Sequence, residues 1–288
     1  MLAALFACAL SAVAVPAAPR PQASTTPAAS PAPRAADFGP RLAQAMQDRA
    51  AVVPFLLDAG AALERMQGRE RQILGDSLEP LLQRVYFSAE RFPGDELVGV
   101  RVHEVKKGDT GGRIGERHRF GHGLLARWNA KYDERRLSVG QKLKVVAFAR
   151  GELQLVVDRG IYRLSAWRDA EGVRTPLLFT PVGVGASDSP TPLGSTTVVE
   201  RVRNPSWTHP TTKVTYAHGD PRNILGGIWI ELDAKPLGKS GIGLHGYTGA
   251  PTKDWLEQPG SHGCVRLQAT DCDRVFHLAL EGTRVLLR

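Results

Sequence analysis

The sequence predicts a mainly β domain over residues 152–288, a sandwich or barrel with one late helix, preceded by a small βααβ unit and a helical segment. Three observations predict this arrangement. After residue 152, short runs rich in β-branched and aromatic residues alternate with Gly, Pro, Asn and Asp. Before residue 92, apolar residues recur at helical spacing. Between these two parts, a pair of alternating apolar runs encloses two short helix-like stretches.

The composition is that of a globular protein with a basic surface. Hydrophobic residues make up 42% and charged residues 23% of the 288 residues, which is enough for a substantial core. The formal net charge of +8 favours an anionic partner, such as nucleic acid, a membrane surface or an acidic envelope polymer. The basic residues are spread along the chain and form no nucleic-acid motif, so we expect no nucleic-acid partner.

The N-terminus is typical of an exported protein. Residues 2–15 are almost wholly small or apolar, and Ala12-Val13-Ala14 offers a site for a signal peptidase. We predict a signal peptide over 1–18 and a disordered Pro/Ala linker over 19–37. Cys8 has too few apolar residues before it for a lipoprotein signal. The apolar run is also too short for a transmembrane helix, so we expect a mature chain without one, in the periplasm or cell wall.

The segment 38–97 is predicted to be helical. Leu74, Leu78, Leu81, Leu82 and Val85 follow the i, i+4, i+7, i+8, i+11 pattern of one helix face. The segment either binds a partner as a helical hairpin or serves as a packing spacer, and the pattern favours packing.

The βααβ unit over 98–148 resembles a LysM module. The resemblance rests on Val105-Lys106-Lys107-Gly108-Asp109-Thr110 and on Val139-Gly140-Gln141-Lys142-Leu143-Lys144-Val145. LysM modules bind the GlcNAc-containing glycan of peptidoglycan or chitin, so the resemblance implies glycan strands as a partner. Gly111 and Gly112 depart from the family, because a large apolar residue is usual there. Each costs roughly 1 kcal/mol relative to alanine in a helix and removes a side chain from the glycan groove.

The late helix is predicted near residue 270. Thr270 and Asp273 have the spacing of a capping box, and Gly282 follows as a stop signal. The predicted helix has one apolar face, which is formed by Cys272, Val275, Phe276, Ala279 and Leu280. We therefore expect Cys272 to be a buried, inert thiol.

The residues that predict chemistry are His245 and the run Ser261-His262-Gly263-Cys264. A free thiol is only about 3% ionised at pH 7, and a neighbouring imidazole can take its proton. Gly263 lets the backbone present N–H donors beside Cys264, where a tetrahedral intermediate needs them. A structural thiol or a zinc site formed with the two histidines would be the alternatives. No further metal ligand stands at a useful spacing, so we expect no metal.

These residues resemble the signature of the YkuD-type L,D-transpeptidase catalytic domain over 152–288. Pro181-Val182-Gly183-Val184-Gly185 and Thr191-Pro192-Leu193-Gly194 add to the likeness. The resemblance implies that Cys264 is the nucleophile and His245 the base, held by a carbonyl near Gly246. It also implies that His262 and Gly263 shape the oxyanion hole.

The resemblance further implies a substrate-binding set of Arg266, Ser261, Gly246 and Tyr247. Arg266 would meet a substrate carboxylate. Tyr247 departs from the family, where threonine or serine is common at this position, which bears on the choice of acceptor.

Taken as a whole, the resemblance implies a cysteine-dependent acyltransferase of the cell wall. It would form a Cys264 thioester with a peptidoglycan tetrapeptide stem and pass it to an amine of a second stem, giving a 3→3 cross-link without a cofactor. Water as the acceptor would give an L,D-carboxypeptidase or hydrolase, and a lysine of an envelope protein would give protein anchoring. A non-catalytic peptidoglycan-binding protein is the remaining alternative, although such a protein need not keep nucleophile and base together.

Overall fold

The computed structural model describes residues 32–249 and 254–288. The predicted signal peptide, 1–18, and most of the predicted linker, 19–37, lie outside the described residues. The end of that linker is ordered, because Ala35–Phe38 form a 3-10 turn. The Phe38 ring packs edge to face on Phe55 at 6.4 Å, and the Ala35 N–H donates to Glu70 Oε2 at 2.6 Å. Ordered structure therefore begins before the predicted boundary at residue 38.

The predicted helical segment contains three helices and two further 3-10 turns. Its elements are α1 Gly39–Gln47, the turn Arg49–Ala51, α2 Val52–Arg65, α3 Gly68–Tyr86 and the turn Asp95–Val98. The five residues of the predicted helix face are all fully buried in α3. A Cβ at Gly75 would lie 2.4 Å from the Phe179 ring, so glycine lets α3 approach the sheet closely. No helix among the described residues is both long and apolar enough to cross a membrane.

The βααβ unit is formed by β1 Val100–Glu104, α4 Gly111–His118, α5 Leu124–Trp128 and β2 Lys142–Val146. The two strands are antiparallel, with Val100 opposite Val146. The Thr110 hydroxyl caps α4 by accepting the Arg113 N–H at 3.2 Å. A Cβ at Gly111 would lie 2.3 Å from Tyr132 Oη, so a larger residue there would displace the Tyr132 side chain.

The predicted mainly β domain is confirmed as one curled eight-stranded sheet. From edge to edge its strand order is β13-β11-β10-β7-β14-β3-β4-β5. In chain order the elements are β3 Leu153–Asp158, β4 Arg163–Ala170, β5 Val173–Pro181, β6 Val184–Gly185, β7 Gly194–Arg203, β8 Trp207–Thr208, β9 Thr215–Tyr216, β10 Ile228–Leu232, α6 Ala234–Leu237, β11 Gly243–Gly246, β12 Pro259–Ser261, β13 Val265–Leu267, α7 Ala269–Leu278 and β14 Arg284–Leu287.

The pairing of β11 with β13 positions the predicted site residues. The two strands are parallel, with Leu244 opposite Val265 and His245 opposite Arg266. Neighbouring strands lie about 4.8 Å apart, and Cys264 immediately precedes Val265. Residues that are far apart in sequence therefore meet at this edge of the sheet.

The capping box predicted for the late helix is wrong. The helix α7 begins at Ala269 with Gln268 as its N-cap, so Thr270 lies inside the first turn. Asp273 instead forms ion pairs with Arg127 at 2.7 Å and Arg203 at 2.8 Å. Cys272 is buried as predicted, at 1% exposure, because it lies on the face of α7 that contacts the sheet.

The βααβ unit packs directly on α7. The Gly121 N–H donates to the His277 carbonyl at 2.6 Å, and the ion pair between Arg127 and Asp273 joins the same elements. Gly121 and Gly123 lie so close to the His277 ring that an added Cβ at either would approach it to 2.4 Å. The unit is therefore held against the mainly β domain through specific contacts.

Candidate active site

A cleft of about 470 Å³ opens at the edge of the sheet where β11 and β13 pair. Five of the predicted site residues line it: His245, Ser261, His262, Cys264 and Arg266. The rest of its wall comes from residues that were not among the predicted site residues, namely Ser206, Trp207, Thr208, Pro210, Ile224, Leu225, Trp229, Lys239, Ser240 and Gly241. The structure thus brings the predicted nucleophile and base into one cleft.

Cys264 carries a neutral thiol at rest. Its Sγ donates to the Gly241 carbonyl at 3.3 Å. Burial raises the pKa of the Cys264 thiol, while a backbone contact with Gly243 and the cations of Arg266 and Lys239 act in the opposite direction. The thiol therefore needs a base before it can act as a nucleophile at neutral pH.

His245 is oriented to act as that base. It is 3% exposed, and its Nδ1 donates to the Gly246 carbonyl. This bond places the ring proton on Nδ1 and leaves Nε2 as a proton acceptor. Burial lowers the pKa of His245 to about 4, so the imidazole is neutral at pH 7. The Trp229 ring, opposite His245 in the β10–β11 pair, lies 5.9 Å from the imidazole between ring centroids.

The loop before Cys264 is fixed by Ser261. The Ser261 hydroxyl is buried, donates to the Cys264 carbonyl at 2.6 Å and accepts the Gly263 N–H at 3.1 Å. Ser261 therefore positions the loop, and its hydroxyl is not offered to a ligand in this arrangement. Gly263 has φ +115°, and an added Cβ would lie 2.7 Å from Lys239 Nζ, so only glycine fits there.

These contacts change the expected source of the oxyanion donors. The Gly263 N–H, predicted to help form the oxyanion hole, is taken by Ser261. In the described part of the chain, no acceptor takes the N–H of Cys264 itself. The Cys264 N–H is thus the loop donor that remains available at the nucleophile.

A second chain of hydrogen bonds supports the loop from outside. Lys239 Nζ donates to Ser189 Oγ at 3.0 Å, and Ser189 Oγ donates to the His262 carbonyl at 3.0 Å. The His262 ring itself is exposed at the rim of the cleft. Sequence reasoning missed Lys239 and Ser189, because no local motif connects them to Cys264.

Arg266 places a positive charge in the cleft wall. It is 8% exposed, and its guanidinium lies 4.0 Å from the Tyr247 ring centroid. Its Nε is buried and has no hydrogen-bond partner among the described residues. Tyr247 packs edge to face on Trp255 at 5.2 Å. Gly246 and Tyr247 therefore support His245 and Arg266 from behind, whereas Arg266 itself reaches the cleft.

Two tryptophans contribute apolar surface to the wall of the cleft. Trp207 is partly exposed on the β8–β9 hairpin and stacks on Tyr216 at 5.8 Å. Trp229 lies on β10 between the buried Ile228 and Ile230. The alternation of side chains along β10 could have identified Trp229 as a cleft residue, because it places Trp229 on the face opposite these core residues.

Nothing in the described residues groups three His, Cys, Asp or Glu side chains around a metal-sized site. Both cysteines of the described chain, Cys264 and Cys272, are free. The site as described is thus a thiol, an imidazole and a set of polar and cationic groups, which is suited to acyl transfer through a covalent intermediate.

Comparison with known families agrees with this geometry. Residues 153–287 match the YkuD family, the L,D-transpeptidase catalytic domain. Residues 103–146 match the LysM domain. Both resemblances predicted from the sequence are confirmed, and the β11–β13 edge lies within the residues that match the L,D-transpeptidase catalytic domain.

Similar proteins carry the same family name. A Bacillus subtilis protein named "Putative L,D-transpeptidase YqjB" is 32% identical over 106 residues, which are 37% of this chain and 56% of that protein. The match therefore spans little more than half of that relative. A solved L,D-transpeptidase from Mycobacterium smegmatis is 14% identical, with 66% of this chain and 82% of that chain covered and a TM-score of 0.37. A mutant of the Enterococcus faecium L,D-transpeptidase is 20% identical, with 50% and 53% covered and a TM-score of 0.37.

Proposed function

We propose that this protein is a cysteine-dependent L,D-transpeptidase that acts on peptidoglycan stem peptides, with Cys264 as nucleophile and His245 as base. The observation that carries the proposal is the shared cleft. Cys264 and His245 both line it, and the Nδ1 bond to Gly246 leaves the Nε2 of His245 free to take a proton. The match of residues 153–287 to the L,D-transpeptidase domain supports the same reaction class.

The first step forms a thioester. As Cys264 Sγ attacks the carbonyl carbon of the third stem residue, His245 Nε2 takes the thiol proton. Because the thiol pKa is raised and the imidazole pKa is lowered, the proton moves with the attack and not before it. The negative charge that develops on the carbonyl oxygen is stabilised by the Cys264 N–H, and one such donor typically contributes ~10²–10³ in rate.

The second half of the reaction releases D-Ala and forms the cross-link. The C–N bond of the tetrahedral intermediate breaks, and the imidazolium of His245 gives its proton to the leaving amine of D-Ala. An amine of a second stem then attacks the thioester carbonyl, His245 takes the amine proton, and the released Cys264 sulfur recovers it. The product is a 3→3 cross-link.

Recognition of the donor stem follows from the cleft wall. Arg266 carries an unpaired Nε at a cleft-lining position, which suits the terminal carboxylate of the tetrapeptide. Trp207 and Trp229 supply apolar surface along which the backbone of the stem can lie.

The module at residues 103–146 supports peptidoglycan as the partner. Its match to the LysM domain favours glycan strands as a second contact. The apolar N-terminal run supports export to the periplasm or cell wall, where this polymer is found.

The test is a product analysis with the purified chain and a disaccharide tetrapeptide, followed by mass spectrometry. A 3→3 dimer with loss of D-Ala, absent with Cys264→Ala, supports the transpeptidase. Tripeptide alone would identify an L,D-carboxypeptidase, and transfer to a lysine of an added envelope protein would identify protein anchoring. No turnover and no adduct from a reduced, folded sample would favour a non-catalytic peptidoglycan-binding protein.

A further inference from the structure

A second cavity, of about 240 Å³, lies between the helical segment and the sheet. It shares no lining residue with the cleft of Cys264. Three arginines line it: Arg71 of α3, Arg174 of β5 and Arg288, which follows β14. Glu64 and Gln154 contribute the other polar groups at its wall.

Arg71 is a buried cation without a counter-charge. It is 5% exposed, its Nη1 donates to the Leu63 carbonyl, and its guanidinium lies 5.4 Å from the Trp167 ring centroid. Within the described ranges, no carboxylate lies within ion-pair distance of it. Nor do its Nε and Nη2 donate to any described residue. An ionised group that is buried without a partner is costly, so this arrangement calls for an anion.

Arg174 lines the same cavity, and its guanidinium is only partly satisfied. It pairs with Glu64 at 3.0 Å and donates to Gln154 Oε1 at 2.6 Å, yet its Nε is buried and has no acceptor among the described residues. Its guanidinium lies 4.9 Å from the Trp167 ring centroid. Trp167 thus holds the guanidinium groups of Arg71 and Arg174 around one ring.

Two of the three arginines already pair with a carboxylate. Arg288 pairs with Asp158 at 3.0 Å, so two carboxylates, those of Glu64 and Asp158, face three guanidinium groups. Burial, followed by the charges of Arg288 and Arg174, lowers the pKa of Arg71 to about 10, while Asp158 and Glu64 oppose this shift. Arg71 is thus the most buried of the three side chains and the one that has no carboxylate within ion-pair distance among the described residues.

We propose that this cavity is an anion-binding site that takes a phosphate or carboxylate group in contact with Arg71 and Arg174, with Arg288 at its edge. A guanidinium fork donates two parallel hydrogen bonds to such groups, and Arg71 offers the edge formed by its Nε and Nη2, which donate to no described residue. The cavity is smaller than the roughly 300–1,000 Å³ typical of sites for drug-sized ligands, so it fits one anionic group and not a whole sugar or peptide. This inference is independent of the proposed function.

The test is calorimetric titration of the purified full chain with inorganic phosphate, and separately with acetate, at an ionic strength held constant with sodium chloride. We expect saturable binding of at least one of the two anions. Two separate variants, Arg174→Gln and Arg288→Gln, replace side chains that are partly exposed, so the fold should tolerate them. Each should weaken anion binding about tenfold or more, which is the usual effect of losing a charge-assisted hydrogen bond. Arg136→Gln is the matched control, because its side chain is 87% exposed and lies away from the cavity.

The outcomes separate the two sources of the anionic group. Tighter phosphate binding identifies a phosphate site, and tighter acetate binding identifies a carboxylate site. Equal binding identifies a site that accepts both kinds of oxyanion. The proposal is overturned if neither anion saturates the protein. It is also overturned if both cavity variants bind like the Arg136→Gln control while unfolding at the temperature of the wild type.

Discussion

Lys144 Nζ donates to the Val85 carbonyl at 2.8 Å and thereby joins the LysM domain to the end of helix α3. The same ammonium also donates to the carbonyls of Ser88, at 2.8 Å, and Glu90. Carbonyls at the end of a helix have no partner within the helix, and a cation suits the negative end of its dipole. Because Lys144 is 5% exposed, one buried side chain connects two parts of the molecule.

Replacing Lys144 should therefore destabilise the whole fold. Lys144→Met keeps the aliphatic stem but leaves buried carbonyls without a donor, so we expect a loss of about 2–4 kcal/mol in the free energy of unfolding. Urea unfolding monitored by circular dichroism measures this. Lys142→Met is the control, because Lys142 lies on the same strand and is exposed. Equal unfolding midpoints for the two variants would show that the contact does not stabilise the fold.

Much of the fold could be predicted because its signals are local. The apolar face of α3 and the short strands after residue 152 follow from periodicity, and both are present in the structure. The capping box failed because spacing cannot show that Asp273 is taken by Arg127 and Arg203, which come from distant elements. The order of strands in the sheet depends on such long-range contacts as well, and sequence periodicity does not contain it.

The site shows the same division. Cys264 and the histidines stand in a short motif, and the carbonyl of Gly246 meets His245 as the resemblance implied. The positions of Lys239 and Trp229 in the cleft depend on strand register and loop packing, which no short sequence motif predicts. The sequence also could not distinguish whether the Ser261 hydroxyl supports the loop or contacts a ligand, because both roles use the same residue type.

The resting thiol of Cys264 should be unreactive at neutral pH. Burial raises its pKa, and its Sγ donates to the Gly241 carbonyl, so little thiolate is present. We expect alkylation by iodoacetamide at pH 7 to be slower than for free cysteine, and its rise with pH to be displaced to higher pH than that of free cysteine. Cys264→Ala supplies the background rate from the remaining cysteines. A rate that is already constant below pH 7 would instead indicate a preformed thiolate–imidazolium pair.

Lys239 should favour the reactive form of Cys264. Its cation lowers the thiol pKa, and its Nζ supports the loop through Ser189. Lys239→Met should therefore shift the alkylation profile to higher pH and reduce turnover about tenfold, while the unfolding temperature changes little. Lys235→Met, an exposed substitution on α6, is the matched control. An alkylation profile that coincides with that of Lys235→Met would show that Lys239 does not affect the thiol of Cys264.

Acid should weaken the contact between α7 and the sheet strand β7 through His277. Its Nε2 accepts a hydrogen bond from Arg203 at 2.7 Å, which requires an unprotonated nitrogen. Burial lowers the pKa of His277 to about 4, with Arg203 acting in the same direction and Asp273 opposing it. The folded pKa lies below the unfolded value of about 6.5, so the stabilisation is complete above pH 6.5 and is lost as the pH falls towards 4.

His277→Gln tests this, because glutamine keeps an acceptor for Arg203 and does not titrate. Thermal unfolding between pH 7 and pH 4 should show a smaller loss of stability in the variant than in the wild type. The difference will be partial, because the pKa of His245 is also lowered to about 4 and His245 contributes in the same pH range. Parallel curves for variant and wild type would assign the acid sensitivity to other groups.

The proposed reaction passes through a thioester on Cys264, which intact-protein mass spectrometry can detect. The purified chain is mixed with a disaccharide tetrapeptide, quenched in acid within its turnover time and weighed, with Cys264→Ala treated in the same way. We expect an adduct with the mass of the stem less its terminal D-Ala, mapped by digestion to Cys264 and absent from the variant. Product formation without an adduct on Cys264, or an adduct that persists in Cys264→Ala, would contradict it.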